Sequence, residues 1–150
     1  MRNSFFVLAG CAVAVSAAIA WNYAGAPTSI AEARFLNGFR KVQASDRIDL
    51  AKLMPGDWEL VCESHGYDGP LYLKKYNKTY EPVAAADDGT WGLISISADG
   101  SYLPASGSCR FNHARFYVNG CSPRESAKLF RKESSSGCTA FSRKLESDSN

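Results

Sequence analysis

Four of the cysteines and both histidines are the residues of this chain whose types and spacing could do chemistry. Two residues separate Cys62 from His65, and three separate Cys109 from His113. Two cysteines with two histidines form a ligand set of structural zinc, and a thiolate beside an imidazole is the pair that nucleophilic enzymes use. Both interpretations need reduced thiols, so the compartment in which the protein works bears directly on them.

The start of the chain indicates export. Residues 1–20 combine a cation at Arg2, an apolar run that begins at Phe5, and the small-residue end Ala18-Ile19-Ala20. This order is that of a secretory signal, which predicts cleavage after residue 20. The alternative is an uncleaved anchor at residues 5–21, which reaches the lower length limit of a membrane-spanning helix.

The cysteine count agrees with export. The chain has five cysteines, and loss of residues 1–20 removes Cys11 and leaves an even number. Four cysteines in a small exported domain predict two disulfides, for which the sequence leaves three pairings open. We favour Cys109 with Cys121, flanking one hairpin, and Cys62 with Cys138. We therefore expect no metal, no cofactor and no cysteine nucleophile.

Length and charge limit the organisation and the partners. About 130 residues remain after cleavage, enough for one domain. We expect a tether at 21–28, a single domain at 29–142 and a polar tail at 143–150. The net charge of the chain is +2 with the signs interspersed, whereas a nucleic-acid binder needs a clustered basic face. We expect no nucleic acid, and membrane contact only through residues 5–21 if they are retained.

Capping patterns predict the helices. Ser29-Ile30-Ala31-Glu32 is a capping box ahead of an apolar stripe and predicts a helix over 30–43. A second short helix is predicted at 46–54. Ser122-Pro123-Arg124-Glu125 repeats the capping pattern with proline at the first helical position, which predicts a helix over Pro123–Lys132.

Alternating apolar residues predict the strands. A strand is expected at 58–63 and another at 91–97, followed by the hairpin turn Asp99-Gly100. A return strand begins at 101–103, and Pro104 limits it to a sheet edge or a short run. Further strands are predicted at 115–118 and 139–142.

Tyrosines mark the segment between these strands. Tyr72, Tyr76 and Tyr80 lie at a spacing of four, which favours a helix over 71–80, although alternating leucines there also fit a strand. Together with Tyr67 they could line a surface for a protein or glycan partner, because tyrosine offers a large contact area at low entropy cost. The alternative is ordinary packing within the core and sheet.

The tripeptide Gly56-Asp57-Trp58, which follows an N-terminal helix, resembles the Gly-x-Trp opening of lipocalin-like barrels. About 85 residues separate it from the last predicted strand, and a predicted helix interrupts them. Eight uninterrupted strands do not fit comfortably in that length. We transfer no ligand or site from that family.

These patterns together predict an α+β domain: N-terminal helices, a small antiparallel sheet of about four or five strands and one later helix, stabilised by disulfides. We expect a small exported or envelope-anchored binding protein, periplasmic or secreted, such as an inhibitor of or accessory to an extracytoplasmic protein. Two alternatives stay open. One is a small extracytoplasmic enzyme that uses His65 or His113, and the other is a single-span envelope subunit that docks through the helix at 30–43.

Overall fold

The structure is a computed structural model that describes residues 29–85, 89–132 and 137–143. The predicted export segment at 1–20, the predicted tether at 21–28 and residues 144–150 of the predicted tail at 143–150 lie outside the described residues, whereas Arg143 is the last residue of a strand. Within those residues, helix and sheet are mixed and two disulfides are present, as predicted, although the helices are few. None of the described helices is long and apolar enough to cross a membrane.

The N-terminal helix forms where its capping pattern predicts it. Helix α1 covers Ile30–Val42, and the hydroxyl of Ser29 accepts a hydrogen bond from the N–H of Glu32 at 3.0 Å. Helices α2 and α3 are single turns at Leu50–Leu53 and Cys109–Asn112. The predicted helix at 46–54 is therefore wrong in its first half, where a short strand precedes α2.

The described residues form ten strands, arranged as two four-stranded sheets and one hairpin. In chain order the strands are β1 Arg47–Asp49, β2 Leu60–Glu63, β3 Leu71–Leu73, β4 Lys78–Tyr80, β5 Thr90–Ile96, β6 Tyr102–Ser108, β7 Ala114–Tyr117, β8 Cys121–Pro123, β9 Lys128–Lys132 and β10 Thr139–Arg143. The first sheet has the order β1-β9-β10-β7 and the second sheet β6-β5-β2-β8, while β3 pairs with β4. The pairing of β10 with β7 is parallel, and the other strand pairs are antiparallel.

Two predicted helices are strands. The segment 71–80 is the β3–β4 hairpin, with Asn77 in its turn at φ +50°. The segment 123–132 holds the end of β8, a 3₁₀ turn at Arg124–Ser126 and strand β9. Strand β9 pairs with β1 on one side and with β10 on the other, so ladder hydrogen bonds on both edges outweigh the local capping pattern.

The main core is aromatic and lies between α1 and the inner faces of both sheets. Phe35 and Phe39 of α1 meet Phe116 of β7 edge-to-face, with ring centroids 5.6 and 4.9 Å apart. Trp91 of β5 contacts Phe116 at 4.7 Å, and Phe141 of β10 contacts Phe39 at 5.6 Å. Such pairs contribute about 0.5–1.5 kcal/mol each beyond their buried area, so this cluster holds the helix and the two sheets together.

The second sheet is buried on its other face as well. Ile94 and Ile96 of β5 pack there with Cys62 and Tyr80, under the chain that runs from β2 through the β3–β4 hairpin to β5. At Gly92 this chain comes so close that a Cβ would lie 2.9 Å from side-chain carbons of Val83 and Ala84. Glycine is required there because the crossing backbone occupies the space of a side chain.

Strand β6 is an edge of the second sheet, as Pro104 predicts. Glu32 is a buried residue of α1. Its carboxylate accepts hydrogen bonds from the backbone N–H of Ser106 at 2.8 Å and from the Ser106 hydroxyl at 3.0 Å. That N–H therefore faces away from β5. In an antiparallel strand, residues two apart point their backbone N–H groups to the same side. Pro104, two residues before Ser106, therefore also turns its nitrogen away from β5, where the missing N–H breaks no ladder hydrogen bond.

The disulfides join Cys62 to Cys121 and Cys109 to Cys138, so the favoured pairing is wrong. Cys62 and Cys121 face each other in register across β2 and β8, with Cα atoms 4.0 Å apart. The second bridge joins the start of α3 to the residue before β10, with Cα atoms 5.6 Å apart. The favoured pairing assumed that β8 folds back beside Cys109, whereas β8 pairs with β2.

Candidate functional site

The four tyrosines predicted as partner contacts do not share one exposure. Tyr67 lies on the loop after β2 and is 64% exposed, and Tyr72 on β3 is 57% exposed. Tyr76 is half-buried in the hairpin turn, and Tyr80 on β4 is 2% exposed. The structure therefore leaves two of the four rings at the surface and directs one into the packing.

The pleat of the hairpin separates these rings. Leu71 and Tyr80 are paired across the hairpin and face the second sheet, where both join its outer apolar cluster. The phenol of Tyr80 donates a hydrogen bond to the carbonyl oxygen of Gly100 at 3.2 Å. Tyr72 and Thr79 form the next pair and face outward. Side chains alternate along a strand, so the inward face anchors the hairpin and the outward face displays Tyr72.

Tyr76 belongs to a polar contact between the hairpin and the residue before β2. The carboxylate of Glu59 accepts hydrogen bonds from the ammonium of Lys75 and the phenol of Tyr76. These bonds lower the pKa of Glu59, and the bond to Glu59 raises the pKa of Lys75. Burial, followed by the hydrogen bond to Glu59, raises the pKa of Tyr76. The contact ties down the hairpin turn at the surface and leaves Tyr76 engaged.

Tyr67 borders a cavity at the seam between the two sheets. We call this cavity of about 120 Å³ the Arg115 pocket. Its wall includes His65, Tyr67, Gly89, Trp91, Arg115 and Tyr117. Three stretches of chain meet in it: the loop after β2, the start of β5 in the second sheet, and β7 at the edge of the first sheet.

Backbone contacts hold the wall of the Arg115 pocket in place. The N–H of Ser64 donates to the carbonyl of Gly92 at 2.9 Å, and His65 forms a parallel bridge with Ala84. Along β7 the buried Phe116 points into the aromatic core, so Arg115 and Tyr117 on either side turn toward the outside of the first sheet. One guanidinium nitrogen of Arg115, Nη1, donates to the Tyr117 hydroxyl at 3.4 Å.

Three buried nitrogens in this wall have no hydrogen-bond partner among the described residues. They are Nδ1 of His65, Nε1 of Trp91 and Nε of Arg115. Trp91 is 1% exposed, so water does not reach its indole N–H. A buried donor without a partner costs about 1–3 kcal/mol, and three such nitrogens around one cavity are unusual for a wall with a purely structural role.

The structure places the two histidines, on which the catalytic and metal hypotheses depend, in separate parts of the described chain. His65 lines the Arg115 pocket, whereas His113 is exposed and lines a separate groove beside Arg40 and Phe111. The four described cysteines are oxidised in the two disulfides, so none of them is a thiolate beside either histidine. The described residues contain no group of three or more histidine, cysteine or acidic side chains placed to hold a metal ion.

The sequence patterns do not single out Arg115, and they place Trp91 only at the start of a predicted strand. A signal was present: Arg115 precedes Phe116 in a strand, and Trp91 precedes a glycine in the most apolar strand. Neither pattern says that β5 and β7, from two different sheets, lie side by side. The chain matches no protein-family model, no curated protein and no solved structure.

Proposed function

We propose that this chain is a small exported binding protein that docks another protein through the surface carrying Tyr67 and Tyr72. We call this surface, formed by the loop after β2 and the outward face of the β3–β4 hairpin, the tyrosine surface. Two disulfides are compatible with an extracytoplasmic location, where such a protein would work. An inhibitor of an extracellular hydrolase is one concrete form of this function.

The observation that carries the proposal is the outward position of Tyr72 on a hairpin whose other face is already packed. The ring is 57% exposed, and its hydroxyl donates to the Asn77 side chain at 3.1 Å. The fold does not need the ring for burial. A tyrosine side chain loses little entropy on contact and is a typical centre of a protein interface.

Tyr67 adds a second exposed ring on the same connection between β2 and β5, and contacts on both sides hold its loop. The N–H of Ser64 donates to the carbonyl of Gly92 at 2.9 Å where the loop begins, and the hairpin that follows is held by Glu59. Anchored loops that carry aromatic side chains bind partners with little rearrangement. We therefore expect the tyrosine surface to bind its partner without a large change of fold.

Capture from the extracytoplasmic fraction of the natural source tests the proposal. Immobilised wild-type protein is compared with a Tyr67→Ala, Tyr72→Ala double variant, and with Phe111→Ala as the matched control. Phe111 is another exposed aromatic ring, 43% exposed on α3. A protein retained by wild type is then purified, and its affinity for all three chains is measured by calorimetry.

We expect the double variant to bind at least about thirtyfold more weakly, or about 2 kcal/mol, which is the loss expected for contact-centre tyrosines. The Phe111→Ala control and the unfolding midpoints should stay close to wild type. Equal binding by the double variant and wild type would refute the proposal. Capture that survives protease treatment of the fraction would point to a glycan and also contradict a protein partner.

A further inference from the structure

The Arg115 pocket combines a fixed cation with unpaired buried donors, which is the arrangement of a site for an anionic oxygen ligand. The Arg115 guanidinium supplies the cation. The indole N–H of Trp91 is a donor without acceptor capacity, and it has no partner among the described residues. An acceptor oxygen that reached these groups would remove the cost of leaving them unpaired.

The surroundings of the Arg115 guanidinium differ from one nitrogen to the next. Nη1 donates to the Tyr117 hydroxyl at 3.4 Å, whereas Nε has no partner among the described residues. Nη2 lies against Gly89, where a Cβ would approach it to 3.2 Å. Nε and Nη2 form the side-on edge of the guanidinium, whose two parallel N–H bonds match the two oxygens of a carboxylate.

The cavity has room for a small headgroup. A volume of about 120 Å³ accommodates a carboxylate and the carbon that bears it. The unpaired nitrogens are buried behind the cavity surface, so the wall must open by a small side-chain movement as the oxygens enter.

We propose that the Arg115 pocket binds a carboxylate group, held side-on by Nε and Nη2 of Arg115 with the Trp91 indole N–H and His65 as further contacts. The carboxylate belongs either to a free small acid or to an acidic residue of a bound peptide. The pocket shares the loop after β2, with His65 and Tyr67, with the tyrosine surface. The proposal does not depend on that surface, because its main contacts, Arg115 on β7 and Trp91 on β5, lie outside it.

Two-dimensional ¹H–¹⁵N spectroscopy of the folded protein tests this site with sodium acetate as the probe. The indole N–H of Trp91 and the Nε–H of Arg115 each give a separate signal in such a spectrum. Sodium chloride at equal ionic strength is the reference. A second arm uses a short acetylated peptide that carries one glutamate. Tighter binding of the peptide indicates a peptide source, and equal binding indicates a free acid; both outcomes require saturable binding of a carboxylate.

We expect both signals to shift with acetate along one saturable curve and to stay in place with chloride. Arg115→Lys keeps the charge and removes the planar edge, so it should weaken acetate binding about tenfold or more. Arg110→Lys is the matched control, because Arg110 is exposed and lies over the Phe111 ring at 5.7 Å; it should bind as wild type does. Thermal unfolding of each variant shows that the fold is retained.

Three results would overturn the proposal. The first is no saturable shift with acetate or with the peptide in a protein that is folded. The second is equal affinity for chloride and acetate, which would show that Arg115 attracts any anion and does not select a carboxylate. The third concerns Asp87 and Asp88, which precede Gly89 in the sequence. If an Asp87→Asn, Asp88→Asn variant shifts the Arg115 signal with no acetate added, the chain supplies its own carboxylate.

Discussion

Replacement of Gly92 by alanine tests the close contact between β5 and the chain that crosses over it on either side of the β3–β4 hairpin. Gly92 has no positive φ, so its backbone conformation accepts any residue and only space is at issue. The new Cβ would overlap the carbonyl oxygen of Ser64 and lie 2.9 Å from the Cβ of Ala84 and from Cγ2 of Val83. Two carbons attract only at about 3.5–4.0 Å, so the crossing chain must move away.

The cost follows from what that movement breaks. The N–H of Ser64 donates to the carbonyl of Gly92 at 2.9 Å, and separating the two strands leaves both groups buried and unpaired. That loss costs about 1–3 kcal/mol, and overpacking of a well-filled face adds about 1–3 kcal/mol. From both costs together, we expect Gly92→Ala to lower the free energy of unfolding by about 2–6 kcal/mol, a large part of the total for a domain of this size.

Urea unfolding followed by tryptophan fluorescence measures this change, because Trp91 precedes the substituted residue. Gly38→Ala is the matched control. Gly38 lies inside α1, and its Cβ would meet only the flexible end of Leu53 at 3.3 Å. Alanine is favoured over glycine inside a helix by about 0.5–1 kcal/mol, so this control should unfold at or slightly above the wild-type midpoint.

An unchanged midpoint and slope for Gly92→Ala would refute the account of the crossing. It would mean that the chain over β5 moves away with no loss of unfolding free energy, and that the β3–β4 hairpin is only loosely attached to the second sheet. A midpoint loss of equal size in Gly38→Ala would also contradict the reasoning, since it would assign the effect to the loss of glycine itself.

Three further predictions address other contacts. Glu32→Ala should lower the free energy of unfolding by about 1–3 kcal/mol, because the buried N–H of Ser106 loses its acceptor; Glu32→Gln should cost less, and urea titration compares the two variants. Non-reducing peptide mapping should find the two bridges of the structure, and reduction of the 29- and 59-residue loops should cost about 3.5 and about 4 kcal/mol on the chain-entropy estimate. Burial raises the pKa of Tyr80, so stability is complete below the unfolded value of about 10 and falls as pH rises toward the folded pKa. Tyr80→Phe should therefore reduce the decline of unfolding free energy between about pH 9 and about pH 11.

Several elements could be predicted from local sequence because local interactions decide them. The cap at Ser29 and the apolar stripe specify α1 over Ile30–Val42. The turn at Asp99-Gly100 joins β5 and β6, where Gly100 has φ +75° and the Asp99 carboxylate accepts from the N–H of Ser101 at 2.8 Å. A mixed helix and sheet fold with two disulfides follows from the same patterns.

Other elements depend on distant partners and were mispredicted for that reason. The segments 71–80 and 123–132 carry helical spacing or a helix cap, yet both are extended in the structure. The hairpin at 71–80 makes its own ladder but takes its burial from the second sheet, and β9 takes its ladder hydrogen bonds from β1 and β10; local spacing shows neither. The disulfide pairing failed in the same way, because only the pairing of β8 with β2 brings Cys121 to Cys62.

The sequence by itself determined which residues carry charge, thiols and aromatic rings, where the helix caps and tight turns lie, and that cysteines occur in a number suited to two bridges. Those properties belong to a residue and its near neighbours. Only the tertiary structure decided that Tyr80 is buried while Tyr72 is exposed, and that Arg115 of β7 lies beside Trp91 of β5. The physical reason is that burial and proximity arise from the packing of two sheets, to which many distant residues contribute together.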